Sequence, residues 1–349
     1  MDLRSLDDLA RRLAAAVPPG VAALRRDLED NFKAVLQAGL SKLDLVSRQE
    51  FDVQAAVLRR TREKLEALEA RLAVLWVGHA TVLIQIDDRV VLTDPVFTDT
   101  VGQLSKRMVA PGITPERLPA IDAVLISHLH FDHLSLGSLE QIDRKTRVIY
   151  LPEGAAVYVP RSRAPTVELP SYRSYEIDGL RVTAVPVEHN GWRYAGDREW
   201  MTTSFTGYVI EYHGLSVYFG GDTAYTPAFR ETRARFPSLD LALLPIAPVH
   251  PRDFMCRTHL DPAQALDAFR DLGARAMLPI HFDTFVNSLD EFGEAPRRLR
   301  ALLPSYGLDE TSVAILQQGG QRTFIPRKSE PPPAPPAQPK VASMRSSTQ

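Results

Sequence analysis

A chain of 349 residues, 44% apolar and 24% charged, is long enough for one large core with room for an accessory module. Its net charge of -2, without a long Lys or Arg run, excludes the electrostatic footprint of a nucleic-acid binder, and the single Cys256 excludes an internal disulfide. With no secretory h-region and no apolar stretch of about 18 residues, the expected setting is cytoplasmic, with membrane contact limited to a peripheral one at the inner face.

Residues 1 to 72 predict helix. Leu6, Leu9 and Leu13, then Leu24, Leu28 and Phe32, recur at helical spacing around the break Pro18-Pro19-Gly20. Ser47 and Glu50 form a capping box, after which Phe51, Leu58, Leu65 and Leu72 keep a seven-residue period, with Leu68 at a d-type position. The mixed charges of Arg59, Arg60, Arg62, Glu63, Lys64 and Glu66 read as a solvated face. The apolar seam needs a partner, and a homo-oligomer through this coiled coil is the simplest one.

From 73 to 326 the texture changes to short β-rich runs. Thr81 to Ile86, a turn at Asp87-Asp88, and Arg89 to Thr93 predict a hairpin. Val124 to Ile126, Val182 to Val187, Val217 to Phe219, Leu241 to Pro245 and Ala276 to Ile280 predict further strands, interspersed with helices such as Pro262 to Leu272. That alternation predicts an α/β layered domain. Residues 327 to 349, with "PPPAPPAQPK", have too little apolar content to fold and read as a disordered tail.

Within the α/β zone, residues able to bind a metal fall just past the ends of separate apolar strands, where open sheets place their sites. "LISHLHFDHLS" supplies His128, His130, Asp132 and His133; "VTAVPV" leads to His189; "LSVYFGG" leads to Asp222; "AMLPI" leads to His281. A cluster this dense is hard to satisfy as buried structural polar groups. His213, in the turn-like "EYHGLS", reads instead as structural.

Imidazole and carboxylate without thiolate suit zinc, and also iron or manganese. Five histidines and two aspartates exceed one tetrahedral site, so two Zn2+ per subunit is the economical count. The expected division places His128, His130 and His189 on one ion and Asp132, His133 and His281 on the other, with Asp222 bridging. Two ions about 3.5 to 4 Å apart share a water whose pKa falls toward about 7, which makes hydrolysis the natural chemistry.

The motif H-x-H-x-D-H, matched by His128, His130, Asp132 and His133, resembles that of the metallo-β-lactamase superfamily. The resemblance covers roughly residues 74 to 326 and implies an αββα sandwich. Inside the superfamily, "WVGHATVLIQID", "LTDPVF", "GGDTAYTPAF", "HLDPAQAL" and "LPIHFDTF" look most like the N-acylphosphatidylethanolamine phospholipase D group. By resemblance, His189, Asp222 and His281 complete the ligand set and Asp94 steadies the metal loop. His259 matches a histidine near the active site that is not a primary ligand. With Asp261 as N-cap and Pro262 in the first turn, the positive end of that helix and His259 could hold a phosphate oxygen or assist the leaving group, which makes His259 a catalytic candidate beside Asp132. Trp192, Tyr194 and Trp200 in the following loop could line a pocket for acyl chains, or simply pack under it. That loop departs from the mammalian-type lipase.

Residues 4 to 72 carry a second resemblance, strongest in "LDLVSRQEFDVQAAVLRRTREKLEALE", to the ubiquinone-biosynthesis accessory factor family, also described as membrane fusogenic. It implies an amphipathic helix, a trimerising coiled coil, contact with lipid or prenyl-quinone machinery, and no catalysis. The expected function is thus a dinuclear zinc hydrolase, a phosphodiesterase of phospholipase D type on a phospholipid-like substrate, working through a metal-bridging hydroxide that Asp132 helps orient. The alternatives are an accessory scaffold for ubiquinone biosynthesis, or a lactone, thioester or β-lactam hydrolase; no metal-binding cysteine accompanies the ligands, and the acidic balance disfavours a nuclease.

Overall fold

The computed structural model describes residues 30–35, 72–102, 105–159, 162–197, 203–286 and 288–324. The chain divides into two compact units, Met1–Glu69 and Ala70–Gln349. In the first, residues 30–35 are helical; Phe51, Leu58, Leu65 and Leu68 lie outside the described residues, as do the capping box, Trp200 and the tail from 327. Leu72, the last member of the seven-residue series, belongs to no coiled coil. It opens strand β1 (Leu72–Gly78) and is fully buried there, opposite Ile86 on one side and Phe324 on the other. Long-range pairing overrides the spacing because "LAVLWVG" offers apolar side chains to both faces of a sheet.

After β1 come β2 (Thr81–Ile86) and β3 (Arg89–Thr93), the expected hairpin. A short ribbon, β4 (Thr100–Val101) with β5 (Ser105–Lys106), precedes β6 (Ala123–Leu125), β7 (Ile149–Pro152) and β8 (Thr166–Leu169). Then follow β9 (Ser174–Ile177), β10 (Leu180–Val185), β11 (Gly207–Tyr212), β12 (Leu215–Phe219), β13 (Leu241–Pro245), β14 (Ala276–Ile280) and β15 (Gln321–Phe324). Two of the expected strands shift by one or two residues: Val124 to Ile126 becomes β6, and Val182 to Val187 becomes β10.

The first large sheet has the order β15-β1-β2-β3-β6-β7-β8, the second β14-β13-β12-β11-β10-β9. Each is mixed: the β3-β6-β7-β8 and β12-β13-β14 pairings are parallel and the rest antiparallel. Alternation along β1 assigns the layers. Leu72, Val74 and Trp76 join the large core with Val182, Tyr208 and Phe219 of the second sheet, while Leu75 and Val77 pack in a second core with Leu134, Leu139 and Ile142. Burying each such side chain stabilises the fold by roughly 1.5–3 kcal/mol. Helices close the outer faces, giving an αββα sandwich.

The helix Pro262–Leu272 keeps its predicted bounds. Asp261 caps it, accepting from the Gln264 amide, and Gly273 ends it at φ +65°. Its Ala265, Leu266, Ala268, Phe269 and Leu272 are buried on one stripe. No described helix is long and apolar enough to cross a membrane.

Candidate metal centre

Strand ends deliver the site. β6 runs through Ile126 and Ser127 into His128; β10 leads to His189, β12 to Asp222 and β14 to His281. Gly221 permits the close approach of the β12 loop: its φ is +56°, and a Cβ there would stand 2.3 Å from the Ser127 Cβ. All seven sequence-selected ligand candidates come together in one cleft. Six of them form two groups, His128 with His130 and His189, and Asp132 with His133 and His281, the latter joined by His79; Asp222, the seventh, lies between.

Hydrogen-bond partners set the tautomer of every imidazole. His189 Nδ1–H donates to the Thr258 carbonyl (2.9 Å) and His281 Nδ1–H to the Ala247 carbonyl (3.0 Å). His133 Nδ1–H donates to Asp94 Oδ2 (2.6 Å). Ser127 donates its hydroxyl to the same oxygen (2.6 Å), so its Oγ is free to accept from His128 Nδ1 at 2.9 Å. His130 is turned around, with Nε2–H donating to Asn190 Oδ1 (3.0 Å). The consequence is that all five rings, in their neutral form, aim a lone pair into the cleft.

In the first group those lone pairs face one another: His130 Nδ1 stands 2.9 Å from His128 Nε2 and 3.4 Å from His189 Nε2. In the second, Asp132 Oδ2 is 3.8 Å from both His133 Nε2 and His281 Nε2. Asp222 Oδ2 lies between the groups, 3.2 Å from His133 Nε2, 3.1 Å from His281 Nε2 and 4.0 Å from His128 Nε2. Buried His133 Nε2, His281 Nε2, His259 Nδ1 and Asp222 Oδ1 have no hydrogen-bond partner among the described residues. Each such orphan costs about 1–3 kcal/mol if left unmade. Converging lone pairs beside orphaned atoms fit divalent cations and little else.

The electrostatics agree. Burial, joined by neighbouring imidazoles, holds His128 well below the usual histidine range; burial likewise holds His189 well below it, against the pull of Asp222. Burial alone would also lower His133 and His281, but Asp222, Asp132 and, for His133, Asp94 outweigh it. His133 is raised well above its ordinary value and His281 is pushed up to about 9. Burial alone would raise the carboxyl groups of Asp132 and Asp222; the facing imidazoles instead hold both well below the usual range. The carboxylate half therefore demands positive charge.

Asp94 is fully buried at φ +32°, and besides His133 and the Ser127 hydroxyl it accepts from the Ser127 amide at 2.7 Å. It thus holds the loop between β6 and Asp132 from beneath. His259 Nδ1 lies 3.6 Å from Asp222 Oδ2, and burial holds its imidazole down to about 4, so it is neutral at pH 7. The positive end of the Pro262–Leu272 helix is already matched by the Asp261 carboxylate, which also pairs with Arg252 at 3.3 Å. This leaves His259, rather than the helix end, as the polar group facing the cleft.

In the loop beyond His189, Trp192 meets the His130 ring edge-on at 5.3 Å, and the half-exposed Tyr194 meets Phe131 at 5.6 Å. His213 sits in a turn at φ +50°, paired with Asp87 at 2.8 Å, as a structural residue would.

Sequence reasoning missed His79, Asn190 and Arg193. Arg193 is 5% exposed and donates to the carbonyls of Leu129 (2.7 Å) and Leu134 (2.9 Å), clamping the loop that carries His130 to His133. His79 Nε2 is 3.0 Å from Asp132 Oδ2. The signal for His79 was local: a histidine in "VGHAT", directly after an apolar strand, like the ligands already chosen.

Two packed mixed sheets with a His- and Asp-lined cleft at their strand ends define a protein of the metallo-β-lactamase fold, a fold that implies a divalent metal. The chain belongs to the family described as the β-lactamase superfamily domain, matched over residues 89–282. Residues 1–76 match the family described as membrane fusogenic activity. A stretch of 75 residues is 45% identical to the ubiquinone biosynthesis accessory factor UbiK of Salmonella typhimurium, covering 22% of this chain and 63% of that protein. The hydrolase-fold domain is thus fused to a UbiK-like segment.

An uncharacterised protein of Mycobacterium tuberculosis is 34% identical over 245 residues; the match covers 66% of this chain and 64% of that protein, less than two thirds of its length. N-acyl-phosphatidylethanolamine-hydrolyzing phospholipase D 1 of Caenorhabditis elegans is 28% identical over 270 residues, 72% of this chain and 75% of that enzyme. Among solved structures, Igni18, a metallo hydrolase of Ignicoccus hospitalis, superposes with a TM-score of 0.56 at 21% identity, over 72% of this chain and 98% of that one.

Proposed function

We propose that this protein is a two-metal hydrolase that cleaves phosphodiesters of phospholipid-like substrates, in the manner of a phospholipase D. One observation carries the reading: five inward-facing imidazole lone pairs divide three and two about a single carboxylate oxygen of Asp222. His128, His130 and His189 would hold one ion, Asp132, His133 and His281 the other, and Asp222 both. Zinc suits this nitrogen and oxygen set, with iron or manganese next. Bound there, the ions supply Lewis acidity and lower the pKa of water toward about 7.

The residues of the chain do the rest. Asp132, with its side chain 19% exposed, is the ligand candidate of the second group best placed to orient an incoming water. Neutral His259 offers a polar atom to a substrate or leaving-group oxygen without adding charge. The lipid preference draws support from the phospholipase D relative.

The test pairs metal content per chain with hydrolysis of a chromogenic phosphodiester, of N-acylphosphatidylethanolamine and of a β-lactam, for the native chain and Asp132→Ala. Near two equivalents, with phosphodiester cleavage lost in the variant, sustains the proposal. Cleavage of the β-lactam or of a thioester alone replaces it with carbonyl chemistry. A second reading, an accessory role in ubiquinone biosynthesis, draws on the match over residues 1–76. It requires the full-length Asp132→Ala chain to restore quinone production in a strain lacking the accessory factor.

A further inference from the structure

His79 was not among the sequence-selected ligands, yet its imidazole clusters with Asp132, His133 and His281 in the second half-site, 3.0 Å from the Asp132 carboxylate. It follows β1 through Gly78 at φ +133° and itself adopts φ +54°, a conformation that side-chain-bearing residues adopt rarely. The turn is locked on every side. The His79 amide donates to Thr284 Oγ1 (2.7 Å), and its carbonyl accepts from Trp76 Nε1 (2.9 Å) and from the His281 amide (3.0 Å). This throws the imidazole inward, where it is 2% exposed and lies 3.9 Å, centroid to centroid, from the His281 ring.

Asp132 is the least anchored member of its half-site. It sits in a turn with its side chain 19% exposed, and among the described residues His79 is the one side chain within hydrogen-bonding distance of its carboxylate. His133 and His281 both stand 3.8 Å away. A carboxylate held by nothing else samples several rotamers, and a metal that selects one of them loses affinity accordingly.

We propose that His79 is a positioning residue that donates Nε2–H to Asp132 Oδ2, and that it thereby sets the affinity of the second metal half-site while leaving the three-histidine half untouched. The backbone bond from His281 to His79 couples the two ligands, so one residue registers Asp132 against His281. The proposal rests on the two-metal reading but on no particular substrate.

Zinc titration of the metal-stripped full-length chain against a chromophoric chelator tests it, with the cobalt-substituted absorption spectrum as an independent readout. His79→Phe keeps the ring packing on His281 and Phe285 but removes the donor. The expected result is one ion bound as in the native chain and the second weakened by about 10- to 100-fold, the range seen when a partner of a ligand is removed. His79→Gln, which keeps an N–H at similar reach, recovers part of the loss. In an Asp132→Ala background His79→Phe should change nothing further; an added loss would show that His79 binds metal itself and overturn the positioning role. Two ions bound by His79→Phe with native affinity and an unchanged cobalt spectrum overturn it as well. If His79→Phe does not fold, His79→Asn, too short to span the contact, carries the same test. Fewer than two ions in the native chain would instead strike the two-metal reading itself.

Discussion

The two halves of the metal cleft are built on different plans. The half formed by His128, His130 and His189 is all imidazole, and its supports are neutral: the Ser127 hydroxyl, the Asn190 amide and the Thr258 carbonyl. The half formed by Asp132, His133 and His281 leans on carboxylates, with Asp94 beneath His133 and Asp222 3.1 Å from His281. An imidazole site discriminates by ligand softness, whereas a carboxylate-rich one is driven by charge and accepts harder cations. The first half should thus be the more selective for zinc and the second the more permissive. The second also depends more on its surroundings, because its charge must be matched and its exposed aspartate held.

Removing the group shared by both halves should have the largest effect. Asp222→Ala is expected to abolish binding of one ion, weaken the other, and lower kcat/KM by at least about 10³-fold, the scale of losing a stabiliser of transition-state charge. Retention of two tight ions, read by metal analysis after dialysis, would show that Asp222 is structural and break the comparison at its centre.

Asp94→Asn comes next. It keeps the shape beneath His133 but weakens the acceptor, and it should cost about 10- to 100-fold in affinity at the carboxylate half while sparing the other. Equal losses in both halves would mean that Asp94 supports the whole loop rather than one ligand. The mirror variant, Asn190→Ala, frees the His130 ring; a loss of about tenfold confined to the imidazole half is expected. Isothermal titration with zinc separates the two steps.

The smallest effect is a pH dependence of stability in the metal-stripped chain. His281 is raised to about 9 in the fold, against about 6.5 unfolded, and His133 is raised too. The His281 contribution is fully present below pH 6.5 and is lost as pH rises through about 9; that of His133 is lost in the same direction as pH rises. His128 and His189 are lowered, so their contribution runs the other way and fades as pH falls below 6.5. The thermal unfolding temperature of the stripped chain should therefore fall on raising the pH from 6.5 to 9, and zinc should flatten that slope. A stripped chain that gains stability over this interval would contradict the charge demand assigned to the carboxylate half.

Much of this architecture was legible in the sequence, and the gaps have physical causes. The ligand candidates could be read because each follows an apolar strand, and the helix Pro262–Leu272 because Asp261 and Gly273 punctuate it. Leu72 misled because a seven-residue period continued by chance into a strand whose partners, Ile86 and Phe324, are distant. Arg193 was missed for a related reason, whereas His79 carried a local signal, its place after an apolar strand, that was passed over. The importance of Arg193 comes from two carbonyls 59 and 64 positions away, which leave no mark in local composition. The division of ligands into halves rests, in the sequence, on economy of ligand count alone, because the hydrogen bonds that orient each ring come from residues distant in the chain.

The pairing of β1 with β15 joins Leu72 to Phe324, so the first strand of the sandwich finds its outer neighbour about 250 residues later in the chain. During synthesis β1 must wait with one edge open, and an unpaired apolar strand is an invitation to aggregate. The Met1–Glu69 unit leaves the ribosome before that wait begins. The open edge of β1 is closed only by the hydrolase-fold domain's own last strand, which sets the point in synthesis at which that hazard ends.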